Sequence, residues 1–475
     1  MLFNTFQFCV FFAGVLALYL VLPRRGQNLL LLAASYLFYA CWDWRFVFLL
    51  LLSTSIDWNL ANAIAREKTP AGAKKWVAAS VTVNLLFLGF FKYFNFFVAS
   101  ANALFDGLGF PPAPFHLNVI LPVGISFYTF QSISYIVDVH RKQVEPARDP
   151  IDFALFVAFF PHMVAGPIMR SRELLPQMQR PRVIRWSAVM SGFNLAAWGM
   201  FKKVVVADNL ATIVAPIFER RHGFGPGQIH LGALAFAFQI YCDFSGYTDV
   251  ARGVARIMGV RLMDNFHHPY FATSITDFWR RWHISLSTWL REYLYVPLGG
   301  NRHGTLVTYR NLALTMLLGG LWHGAQWKFV LWGAYQGGLL ALERALLGRK
   351  AVVEVSSARG PLGHAFFVAR ILATFHFVCL GWLIFRCESV GPLGVMMVNF
   401  MDVRGWLHMP HARGLVVAAC IGPVLAMDLF QYLSRDEQIL LRAPVALRAA
   451  LYLAGLYAFL LFGRFESNAF IYFQF

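Results

Sequence analysis

The sequence predicts an all-α, polytopic integral-membrane helical bundle. Of its 475 residues, 58% are hydrophobic and only 14% charged; its apolar runs approach the width of a bilayer; and none shows the alternation of a barrel strand. A soluble domain carries about 25% charged residues. Because irregular backbone cannot face hydrocarbon, a mainly apolar chain must satisfy its amides within helices. Residues 77–91 and 312–322, the latter continued by 329–342, are such runs. On the roughly 20-residue criterion, about ten to twelve spanning or re-entrant segments are expected. There is no obvious repeat of fixed period, no low-complexity tail and no hydrophilic stretch long enough to fold separately, so residues 1–475 read as a single integral-membrane domain.

Along the chain, the first apolar run begins without a basic leader and passes residues 21–22 with no small-residue cleavage site, so it is expected to stay attached. The formal net charge is +17, but Lys and Arg are dispersed over short connections and form no single stripe, which argues against nucleic acid as a partner. Positive-inside topology accounts for them: Arg24 and Arg25, and the loops at 66–75, 141–148, 170–185 and 435–448, are expected to face the cytoplasm. The loops at Arg24 and Lys74 share a side only if the chain folds back once between them, and residues 41–45 (CWDWR) supply a polar, aromatic break suited to the membrane interface. Both termini are then expected outside. The longer connections, 99–118 with its Pro-Pro-Ala-Pro at 111–114, 349–363 and 402–413, are candidate lids or rims.

Two stretches break the spanning pattern. In residues 153–170 (FALFVAFFPHMVAGPIMR), Pro161, Gly166 and Pro167 interrupt an apolar run whose ends both adjoin basic loops, which predicts a re-entrant segment. Residues 273–300 (TSITDFWRRWHISLSTWLREYLYVPLGG) are too charged to span. At 100° per residue Phe278, Trp282, Leu286, Trp289, Leu290 and Tyr293 share a face, with Arg280, Arg281, Ser287 and Arg291 away from it, so an amphipathic helix at the cytoplasmic interface is expected.

Among residues able to carry chemistry, His323 lies in an uncharged apolar region, where a charged side chain costs roughly 2.5 kcal/mol or more at the helix centre. Such a residue usually faces a cavity or a partner and has a function; the alternative is a neutral histidine hydrogen-bonded inside the bundle. Gly320 and Gly324 beside it would admit close helix packing, or a break that makes room for substrate. His283 falls at the rim of the aromatic face of the 273–300 segment, where packing and catalysis are both open. Asp243 and Asp249, in YCDFSGYTDVARG, are six residues apart and so do not share a helical face, which leaves a structural pairing with Arg252 or Arg256 as open as catalysis.

The six cysteines show no C-x-x-C spacing, and His267–His268 and His408 with His411 show no third ligand, so no metal is inferred. There is no P-loop, dinucleotide fingerprint, G-x-S-x-G elbow or H-E-x-x-H helix. A histidine in an apolar cavity without a metal favours general-base work on a hydroxyl.

An ordered series of motifs runs through nearly the whole chain: SYLFYACWDW at 35–44, FFKYFNFF at 90–97, LPVGISFYTFQSISYIVDVHR at 121–141, VAGPIMR at 164–170, YCDFSGYTDVARG at 241–253, DFWRRWHISLSTWLREYLYVPLGGNR at 277–302, GGLWHGAQWKFVLWGAYQG at 319–337 and the final FIYFQF. In these motifs the chain resembles the membrane-bound O-acyltransferases, in the branch that contains bacterial alginate O-acetyltransferase proteins. The resemblance implies a helical bundle around a central catalytic tunnel, with His323 in the position of the family's catalytic histidine and His283 in that of its second motif histidine. It places Arg280, Trp282, Ser287 and Trp289 on the surrounding motif, Asp243 on the D-F-S-G element, Trp322 beside the catalytic histidine and Asn301 near the donor, as substrate-binding candidates.

The resemblance further implies a bacterial inner-membrane enzyme with no bound cofactor. It would take acetyl from acetyl-CoA or another acyl thioester in the cytoplasm and hand it to a periplasmic acetyltransferase of an exopolysaccharide synthesis complex. D-alanyl transfer to an envelope polymer is the neighbouring alternative. A proton or solute transporter using the intramembrane His and Asp residues, or a scaffold for an export complex, are the readings from other classes.

Overall fold

The computed structural model describes residues 1–111, 115–164, 166–219, 225–348, 360–388, 390–465 and 470–471, and every regular element among them is helical. Residues 112–114 of the 99–118 connection, residues 349–359 of the 349–363 connection and the last four residues of the FIYFQF motif lie outside the described residues. The chain groups into two compact units. One comprises Met1–Gly192, Val254–Met263 and Gly324–Gln326, and the other Phe193–Gly253, Asp264–His323 and Trp327–Phe475.

Among the described residues five helices are long and apolar enough to cross a membrane: Arg45–Arg66, Pro70–Gly107, Gly360–Arg386, His411–Ser434 and Val445–Phe462. Four further helices, Arg24–Asp43, Pro226–Ile257, Gly304–His323 and Trp327–Leu347, have at least 20 residues and so reach about 30 Å. Their composition is more mixed. Val445–Phe462 has no buried residue, as suits a helix that meets lipid around its circumference.

In the first unit the local signals are followed closely. Trp44 separates the helices Arg24–Asp43 and Arg45–Arg66, so the aromatic break falls where expected, with Asp43 and Arg45 paired at 2.5 Å on the outside. Thr69 caps the next helix by accepting from the Gly72 N–H, and Pro70 occupies its first turn, where a missing N–H costs nothing. The buried Asp57 accepts from Ser80 Oγ at 2.6 Å and Asn84 Nδ2 at 2.9 Å, tying Arg45–Arg66 to Pro70–Leu88.

The expected re-entrant stretch is interrupted helix: Pro150–Ala158 stops at Phe159 and Phe160–Met163 follows as a single turn. Side chains satisfy its freed backbone: the Phe160 N–H donates to Ser35 Oγ, and Gln131 Nε2 donates to the Phe156 carbonyl. Buried irregular backbone survives in an apolar surrounding only on such terms.

In the second unit, Gly304–His323 and Trp327–Leu347 form a hairpin whose backbones nearly touch. A Cβ on Gly320 would lie 2.2 Å from the Phe329 carbonyl oxygen, and one on Gly333 would lie 2.4 Å from that of Met316. Small residues permit this approach, and dispersion across it holds the two helices together. Gly320→Ala is therefore expected to lower the yield of monodisperse protein extracted in mild detergent. Gly338→Ala, on the same hairpin with nothing within 4 Å of its Cβ position, is expected to match the parent chain.

Candidate active site

The segment that begins at Ser274 has a reciprocal cap, in which Ser274 Oγ accepts from the Asp277 N–H and the Asp277 carboxylate accepts from the Thr273 N–H. The helix Ile275–Arg281 then ends. His283 takes left-handed backbone angles, φ 43° and ψ 54°, and a second short helix runs Ile284–Leu290 before a wider π turn at Arg291–Tyr295. This corrects the uninterrupted amphipathic helix expected over 273–300. The aromatic residues do turn inward, but from both sides of a break, and His283 is fully buried instead of sitting at a rim. A non-glycine residue in this backbone region stores strain, and such strain collects at functional sites.

Asn265 holds the break in place. Its backbone carbonyl accepts from the Ile284 N–H at 3.0 Å, and its side-chain Oδ1 accepts from the Ser285 N–H at 3.1 Å and Ser285 Oγ at 2.9 Å. The same oxygen lies 3.2 Å from His283 Nδ1. Burial drives the proton affinity of His283 down, and the nearby His323 lowers it further, so the ring is neutral at physiological pH.

His323 is the last residue of Gly304–His323, and its ring centroid is 6.5 Å from that of His283. Trp332, Phe385 and Trp322 surround it edge-on at 5.1, 5.4 and 5.1 Å. Trp322 also reaches the His283 ring at 5.9 Å, and Phe244 closes the other side of that ring at 4.7 Å. Beyond them Trp282 packs on Trp382 at 4.9 Å and stacks on Phe278, extending the aromatic wall. Two buried imidazoles in an aromatic enclosure can accept and return protons, and a low local dielectric strengthens any interaction with developing charge.

The other candidates divide. Trp282 and Trp322 belong to the enclosure. Ser287 Oγ donates to the Trp282 carbonyl at 3.1 Å, bracing the break from the far side, and Trp289 packs against Tyr293 at 5.3 Å one turn further on. Arg280 and Asn301 are exposed.

Asp243 serves an ionic cluster one residue from the enclosure. Lys203 Nζ lies 2.7 Å from Asp243 and 2.8 Å from Asp208, while Lys202 Nζ lies 2.6 Å from Asp249 and donates to Ser245 Oγ. The Asp249 pairing with Arg252 is also present, at 3.2 Å. Asp243 Oδ2 additionally accepts the Ile471 N–H at 2.8 Å, which ties the start of the FIYFQF motif to this cluster. Arg252 in turn stands between Asp264 and Glu437, supplying the positive charge where those carboxylates approach His267.

Sequence reasoning missed Asn265 and the two lysines. Adjacent residues on a regular helix point about 100° apart and rarely serve one cluster. Here the π turn Phe201–Ala207 widens the helix, and Gly199 and Gly246 let the two backbones meet: a Cβ on Gly199 would lie 2.5 Å from the Gly246 carbonyl oxygen. The available signal was two lysines wedged in an apolar run, FKKVVVA.

Among the described residues the chain is helical throughout, with two buried imidazoles in one aromatic enclosure. Residues 146–385 match the membrane-bound O-acyltransferase family, and the chain belongs to that family: it is a multi-pass membrane O-acyltransferase. It is 45% identical over 437 residues to a protein of Pseudomonas putida named probable alginate O-acetylase AlgI, covering 90% of this chain and 86% of the relative. It is 46% identical to the protein of that name in Azotobacter vinelandii, over 85% of this chain and 78% of the relative. It is also 36% identical to a peptidoglycan O-acetyltransferase of Helicobacter pylori, over 85% and 80%.

Proposed function

We propose that the chain moves an acetyl group from a cytoplasmic thioester donor, such as acetyl-CoA, across the bacterial inner membrane to a periplasmic acetyltransferase, which O-acetylates an exopolysaccharide such as alginate. The observation that carries the chemistry is the pair of buried imidazoles 6.5 Å apart, brought from separate segments into one aromatic enclosure. Support for the cargo and polymer comes from two relatives, 45% and 46% identical, that bear the name alginate O-acetylase. The clustering of Lys and Arg in short loops supports an orientation with those loops in the cytoplasm and both termini in the periplasm.

In this reading His323 removes the proton from the acceptor hydroxyl as its oxygen attacks the acyl carbonyl. The tetrahedral intermediate then collapses with cleavage of the carbon–sulfur bond. The proton passes to the departing sulfur, so an ester and a free thiol are formed and His323 returns to its neutral state. His283 stands on the facing side and orients the reactants there.

The test is transfer of label from acetyl-CoA to a purified periplasmic partner and polymer in proteoliposomes that contain the chain. Labelled ester on the polymer is the expected result. Label that stays on the thioester while the chain is folded and inserted would overturn the proposal, and label on peptidoglycan but not on alginate would reassign the polymer.

A further inference from the structure

We infer that Asn265 is a positioning residue for the reaction: it holds His283 in the tautomer protonated at Nδ1, which leaves the lone pair of the neutral ring on Nε2. The inference rests on His283 belonging to the active site, as proposed above.

The argument turns on which atom of the Asn265 amide faces the histidine. A backbone N–H can only donate, so the side-chain atom 3.1 Å from the Ser285 N–H is the amide oxygen and not the nitrogen. The same oxygen is 3.2 Å from His283 Nδ1, and an oxygen with lone pairs only requires a proton on that nitrogen. Ser285 Oγ, 3.5 Å from Nδ1, spends its own proton on Asn265 Oδ1 at 2.9 Å, so it presents only lone pairs to the ring. Both neighbours therefore select Nδ1–H. The backbone carbonyl of Asn265 holds the Ile284 N–H at 3.0 Å, which fixes the left-handed turn at His283 and with it the direction of the ring. Asn265 is itself fully buried, so water does not compete for its oxygen.

The consequence is chemical. With Nδ1–H committed to Asn265, it is Nε2 that can take a proton from a reactant or accept a hydrogen bond from it. A ring released from Asn265 can place its proton on Nε2 instead, and that form has lost its basic face toward the reactants.

Three variants and one spectroscopic measurement test this. Asn265→Asp keeps an oxygen acceptor for the three donors and adds negative charge, so it should preserve the tautomer and raise the proton affinity of His283. The acidic limb of the pH–rate profile should then move to higher pH, with activity recovering at alkaline pH. Asn265→Ala should lower kcat by at least about tenfold with KM little changed, and without that upward movement. Nitrogen NMR of isotope-labelled histidine, with His283→Gln to assign the signal, should show the Nδ1–H form in the parent chain and its loss in Asn265→Ala.

An Nε2–H ring in the parent chain, or an Asn265→Asp profile that coincides with the parent's, would overturn the inference. A His283→Gln protein with undiminished transfer would instead overturn the placement of His283 in the active site.

Discussion

His323→Ala is expected to reduce acyl transfer by roughly 10²–10⁴-fold, the usual contribution of a positioned general base. The ring ends its helix with Trp322, Trp332 and Phe385 against it and His283 across from it. Alanine also leaves a void in the aromatic enclosure, which by itself lowers stability. His323→Gln fills most of that volume with a side chain that cannot take up a proton at neutral pH. Both variants should be compared with the parent at matched membrane levels, by label transferred from acetyl-CoA. Equal loss in the two assigns the effect to proton transfer, and wild-type transfer by the glutamine variant would remove His323 from that role.

The largest expected effect on stability belongs to Lys203→Met. Its ammonium serves Asp243 at 2.7 Å and Asp208 at 2.8 Å, and side-chain exposure of all three is under a tenth. Removing one partner of a buried pair costs about 3–5 kcal/mol, because the partner left behind keeps its desolvation penalty. Here two carboxylates are left behind, so the cost should fall at the upper end of that range or drive one of them to protonate.

The measurement is the apparent melting temperature in detergent, for Lys203→Met beside Lys203→Arg, which retains the charge. Arg45→Ala removes an ion pair that lies open to solvent and should leave the melting temperature unchanged. A Lys203→Met protein that melts with the parent would mean that the cluster contributes no net stability.

Asp243 lies in the YCDFSGYTDVARG motif, yet its carboxylate is occupied by Lys203 and the Ile471 N–H. Its contribution to the site passes through its neighbour: Phe244 packs on the His283 ring, so the cluster that fixes Asp243 also fixes one wall of the enclosure.

Much of the architecture is legible in the residues because it follows from local rules acting under one solvent constraint. An apolar chain whose backbone cannot hydrogen-bond to lipid must be helical. Trp44 between charged neighbours and Pro161 inside an apolar run each act within a few residues, and the helix breaks fall beside them. His323 stood out for the same kind of reason, since an ionisable group in an apolar run has a cost visible without coordinates.

Other features depend on partners far along the chain. Periodicity reads 273–300 as one helix, because nothing within it marks His283 as left-handed. The turn is held by Asn265, 18 residues upstream. Regular helical geometry likewise sends Lys202 and Lys203 in different directions, and only the π turn, together with the contact of Gly199 with Gly246, brings both onto the aspartates of another helix. Composition and local pattern thus carry the helical membrane class, most of the breaks and the choice of His323 as a candidate, because solvent and near neighbours set them. The tautomer of His283, the burial of Asp243 in an ion pair and the closing of the aromatic wall come from long-range hydrogen bonds and close backbone contacts, which exist only once distant segments have packed.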